Sequence, residues 1–128
     1  MPAVGYRAGY VEETIVSSTA RTANGDSGVL SGWGSCNAIR FQVTVTAASG
    51  TNPKLKVFVD DTLDGTNWNE RRELGEITGT GIAGASLVED LGSYSYLTAD
   101  RIRVRWEITG TSPSFTFSVI AASRADGA

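Results

Sequence analysis

The sequence predicts an all-β protein, an antiparallel two-sheet sandwich of about eight strands with an extended N-terminal arm. Three observations predict it. Apolar and polar residues alternate along several short segments, which is the period of a half-buried strand. Clusters of Gly, Ser, Thr, Asn and Pro separate these segments and favour turns. No segment carries a helical apolar stripe, and glycine supplies 15 of the 128 residues.

The first dozen residues, MPAVGYRAGYVE, look less like core than like an arm, so the chain divides into an arm over 1–12 and one domain over 13–128. Val4, Tyr6, Tyr10 and Val11 are candidate apolar anchors on a partner, and Arg7 a candidate charged contact. The competing reading makes the arm an edge strand of the same domain. Weak strands follow near 13–19 (ETIVSST) and 27–32 (SGVLSG). The loop SGWGS holds Trp33 among glycines, where an exposed ring would serve as a binding platform or an interface anchor.

In AIRFQVTVTA, Ile39, Phe41, Val43 and Val45 share one face, while Arg40, Gln42, Thr44 and Thr46 share the other. PKLKVFVDD repeats the pattern with Leu55, Val57 and Val59 inward, and ASGTNP between the two reads as a hairpin turn. Weaker strands lie near 69–78 (NERRELGEIT) and 85–91 (ASLVEDL). The run ERRE at 70–73 reads as a solvated edge strand whose charges discourage edge-to-edge association. RIRVRWEIT turns Ile102, Val104, Trp106 and Ile108 inward. GTSP is a turn, and SFTFSVIAAS turns Phe115, Phe117, Val119 and Ala121 inward. Phe58 and Ile120 break the polar faces of their strands, so both are candidate contacts. Arg101, Arg103 and Arg105 form a row on one outward face, placed to pair with Glu on a neighbouring strand or to meet an acidic partner.

Composition excludes much chemistry. The chain lacks histidine and has one cysteine, Cys36. That rules out Ser-His-Asp and Cys-His catalysis, imidazole zinc sites, multi-thiolate metal sites and an intrachain disulfide. Acid pairs such as Glu12/Glu13, Asp60/Asp61 and Glu89/Asp90 are adjacent in sequence, and on a strand adjacent residues face opposite ways. The expectation is therefore no enzyme and no cofactor. A formal net charge of −3 speaks against a nucleic-acid partner. No apolar run approaches the ~20 residues of a membrane span, and the N-terminus lacks the apolar stretch of a secretory signal, so synthesis in a host cytoplasm is expected.

The stretch DDTLDGTNWNE, 60–70, is rich in the carboxylates that an ion site would use. A helix-loop-helix calcium loop beginning at Asp60 would need a bidentate Glu at its twelfth position, where Arg71 stands. The better reading is a turn at Asp64-Gly65, closed by Asn67, with Trp68 laid over the end of the core and Asp60 and Asp61 solvated.

DTLDGTNWNE also resembles the S-x-D-G-x-x-W turn of discoidin-type, galactose-binding-like jelly rolls, with Thr62 in place of the serine, and ADRIRVRWEI is similar to their later arginine-bearing strand. The same pair resembles many small structural proteins of tailed bacteriophages. Alternation alone leaves jelly-roll and immunoglobulin-like topologies open, and the resemblance implies the jelly roll. It further implies a head decoration (cement) protein on the outer head surface of a virion. Its partners would be the major capsid protein and itself, as a symmetric dimer or trimer. The alternatives are a carbohydrate-binding sandwich that takes a surface glycan through Trp33, Trp68, Tyr94 or Tyr96, and a tail or baseplate component.

Overall fold

The computed structural model describes residues 9–88 and 97–125. These residues form six strands and no helix: β1 (Gly9–Arg21), β2 (Gly25–Asp26), β3 (Ala38–Thr62), β4 (Asn69–Ile77), β5 (Gly81–Val88) and β6 (Arg101–Ala125). All pairings are antiparallel.

β3 and β6 organise the rest. Each is 25 residues long, and they pair from Ala38↔Arg124 to Thr62↔Arg101. A straight ribbon of that length would span about 80 Å, several times the radius of so small a domain. The ribbon bends instead. Its register shifts between Val45 and Ala47, Ser49 and Thr51, and Thr51 and Lys54, and such bulges kink a strand and increase its twist. Trp106 and Phe117, on opposite sides of the bend in one strand, meet edge-to-face with ring centroids 5.4 Å apart. An unbent chain would hold them more than about 30 Å apart.

Each half of the ribbon centres one sheet. Sheet I has the order β1, β6 (115–125), β3 (38–48), β5. Sheet II has the order β2, β6 (101–109), β3 (54–62), β4, and a bridge from Leu30 to Ile102 lengthens its short edge. Counting the halves separately gives eight strand segments, as the alternation predicts. The inward residues of both sheets join one core: Ile39, Phe41, Val43, Val45, Phe115, Phe117, Val119 and Ala121 from sheet I, and Leu55, Val57, Val59, Ile102, Val104, Trp106 and Ile108 from sheet II. Burying each large side chain contributes about 1.5–3 kcal/mol. Cys36 is buried in the same cluster as a free thiol.

The connections differ from the sequence reading. ASGTNP and GTSP are not hairpin turns; they are the two corners where the ribbon passes from one sheet to the other. Both corners read Gly-Thr-x-Pro, and Gly50, Asn52, Gly110 and Ser112 all have positive φ. The corners also pack against each other. A Cβ on Gly50 would lie 2.7 Å from the Ser112 carbonyl oxygen, and one on Gly110 would lie 2.8 Å from that of Asn52. Left-handed residues serve a reversal and a bulged corner equally well. A reversal would put both segments in one sheet. The corner puts them in opposite sheets, where their apolar faces meet.

Trp33 is a second correction. Its ring is 1% exposed and stacks on Phe41 at 6.4 Å, so it offers neither a platform nor an anchor. Gly32, at φ 96°, lets the loop turn inward. Asp100 then clamps the loop, its carboxylate accepting from the amides of Gly32 and Gly34 at 3.3 Å each.

Candidate functional site

The outer face of sheet II is a closed ion network. Strand pairing sets Arg103 opposite Asp60 and Arg105 opposite Phe58. Asp60 is 2% exposed, and its Oδ2 accepts from Arg103 Nε and Arg105 Nε, both at 2.9 Å. Arg105 also donates to Glu107 at 2.8 Å and Glu70 at 3.1 Å. The Asp60 hydrogen bond pushes the Arg105 guanidinium above its ordinary value. The arginines also roof the aromatic rings of this face, Arg105 over Phe58 at 4.2 Å and Arg103 over Trp68 at 4.4 Å. Arg101 donates to the Leu63 carbonyl at 2.6 Å.

Three expectations change here. Asp60 and Asp61 are buried rather than solvated. Phe58 is covered and is not a free contact. The arginine row is engaged within the chain. An outward-facing Asp between two arginines on the adjacent strand was the available signal. Alternation identified the face, and only the pairing of distant strands revealed that side chains of that same face seal it.

The 60–70 loop is a turn. Asp64 accepts from the amides of Thr66 at 2.8 Å and Asn67 at 2.7 Å, and from Asn67 Nδ2 at 2.7 Å. These donors, the Asn67 amide foremost, hold its carboxyl well below the usual carboxylate range. Trp68 lies half-buried on the outer face of sheet II beneath Arg103, not over the end of the core. Between this loop, the start of β4 and residues 97–101 lies a cavity of about 590 Å³, lined by Asp61, Leu63, Asn69, Arg71, Thr98 and Arg101 among others. The acids around it are engaged. Asp61 accepts from the Ala99 amide at 2.8 Å and lies 3.7 Å from Arg71 Nε, while Asp100 holds the Trp33 loop. Among the described residues no group of three or more His, Cys, Asp or Glu could hold a metal ion.

The outer face of sheet I is different. Register places Tyr10, Arg124, Ala38 and Val88 in one row across it, and Thr14, Ile120, Gln42 and Gly84 in another. Tyr10, Ile82, Val88 and Ile120 are exposed on it. The Tyr10 hydroxyl donates to Glu12 Oε2 at 2.5 Å, and that bond raises its pKa. Gly9–Glu12, the described part of the arm, runs along β6 as the start of β1, with Val11 half-buried. Val4, Tyr6 and Arg7, with Tyr94 and Tyr96, lie outside the described residues. Sequence alternation does not mark Ile82 and Val88, because the small residues between them blur it in GIAGASLV.

No family model matches the chain, and no curated protein sequence matches it. Solved structures do share the fold. The exported protein XepA of PBSX superposes with a TM-score of 0.61 at 11% identity, covering 92% of this chain and 38% of that one. VP2 of the infectious bursal disease virus subviral particle superposes with a TM-score of 0.58 at 14% identity, covering 92% of this chain and 33% of that one. The chain thus spans about a third of the length of each.

Proposed function

We propose that the chain is a non-catalytic structural protein of a virus particle, a decoration protein that binds the assembled head lattice and stabilises it. The observation that carries this reading is the contrast between its faces. On the outer face of sheet II Arg103 and Arg105 close on Asp60, while the outer face of sheet I presents Tyr10, Ile82, Val88 and Ile120 to solvent. Tyr10 and Val88 stand at opposite edges of one row, and Ile120 and Ile82 in other rows, so the face offers a partner separate apolar anchors. The fold supports the reading as well, because VP2, which shares it, forms a subviral particle. The mechanism is mass action. A protein that binds the assembled shell and not its free subunits stabilises the shell by about 2.7 kcal/mol per site at a hundred times its Kd.

Quantitative protein analysis of purified particles tests this. The expected result is this chain in hundreds of copies per particle, and about a dozen or fewer would assign it to the tail. Absence from particles, with retention on a glycan column, would replace the proposal with the carbohydrate-binding reading. The cavity beside Arg71 and Arg101 is the site that reading would use, although no aromatic ring lines it among the described residues.

A further inference from the structure

Edge strands expose unpaired amide and carbonyl groups, and folded proteins protect them with charge, bulges, proline or brevity. Three edges of this sandwich are protected. β4 carries Glu70, Arg71, Arg72, Glu73 and Glu76, and its register against β3 shifts twice. β1 carries Glu12, Glu13 and Arg21, with two shifts against β6. β2 is two residues long.

β5 has none of these devices. Gly81–Val88 contains no charged residue and no proline, and its eight pairs with β3 run from Ala38↔Val88 to Val45↔Gly81 without a shift. Among the described residues it pairs with β3 alone. Ile82 is 69% exposed and Val88 66% exposed.

We infer that β5 is the docking edge for a second copy of this chain, which adds antiparallel about a two-fold axis and joins the two copies of sheet I into one sheet. Charge selects this occupant. An uncharged edge offers nothing to hold a charged strand such as β4, whereas another β5 brings its own main-chain donors and acceptors and no charged side chain. Side-chain spacing supports it too. Ile82 and Val88 are equidistant from Ala85 in sequence and point to the same face. A two-fold axis through Ala85 therefore sets each Ile82 directly opposite Val88 of the other copy, with Gly84 opposite Ser86 between them. Direct cross-strand apolar pairs of this kind stabilise a sheet, and the contact is isologous, as a two-fold interface must be. An eight-residue strand pair buries less than the about 1,200 Å² of a stable complex, so the dimer is weak, with a Kd on the order of micromolar. This inference is independent of any role in a virion.

Sedimentation equilibrium of the full chain from about 1 to 500 μM tests it, with thermal melts by circular dichroism to verify folding. The chain should pass from monomer to dimer across that range. Ile82→Lys with Val88→Lys sets like charges opposite one another and should weaken the dimer at least tenfold. Ile82→Lys with Val88→Glu places Lys opposite Glu twice in the same register and should restore it to within a few-fold of the parent. A parent that stays monomeric throughout overturns the proposal, as does a Lys/Lys variant that dimerises like the parent. A Lys/Glu variant that folds yet stays monomeric overturns the register centred on Ala85.

Discussion

β4 and β5 follow one another in the chain, and each is the outer strand of one sheet, yet they are built oppositely. β4 is charged at five of its nine positions and bulged against β3. β5 is uncharged and in unbroken register with the same partner strand. Their faces follow suit. Beside β4, Arg103 and Arg105 close on Asp60 and cover Trp68 and Phe58, with Leu63 exposed only in the adjoining loop; beside β5, Ile82 and Val88 stand in solvent on the sheet itself. Among the described residues β4 is a guarded edge and β5 is not, and it is on that contrast that we propose β5 as the edge of contact.

Removing the centre of the ion network probes the contrast hardest. Asp60→Ala leaves Arg103 and Arg105 partly buried without their shared carboxylate, and breaking such a pair costs about 3–5 kcal/mol. Urea denaturation should show a loss of that order, and a loss under about 1 kcal/mol would mean that the network is ornamental and the two faces are alike in kind.

A smaller effect is expected in acid, at the turn that leads into β4. The folded-state pKa of Asp64 lies below its unfolded value, so its contribution is present above the ordinary carboxylate pKa of about 3.9 and is lost as pH falls below that toward the folded value. Asp64→Asn should therefore flatten the fall in thermal stability as pH drops below about 4. An unchanged acid limb would show that the turn does not hold its carboxylate ionised.

The smallest effect belongs to β5. Ile82→Thr and Val88→Thr should each change monomer stability by less than about 0.5 kcal/mol, because both side chains already stand in water. A loss above about 2 kcal/mol would place them in the core and abolish the contrast between the strands.

Much of this was legible in the residues. Every residue that period-two alternation placed inward on β3 and β6 is buried, and Asp64-Gly65 announced its turn. ERRE read as a guarded edge, and β4 is one. The repeated Gly-Thr-x-Pro at 50–53 and 110–113 was also visible, yet it read as two reversals where the chain makes two corners.

The division has a physical cause. Which face a side chain takes depends on its immediate neighbours, because the pleat alternates whatever lies across the sheet, so the layers and their core were written into the chain locally. Whether an outward group is wet depends on residues far away. Asp60 is dry because Arg103 and Arg105 arrive from the far end of the chain, and Trp33 is buried because Asp100 draws its loop inward. Those outcomes, with the bend that sets the two halves of each long strand face to face, exist only once distant segments have paired.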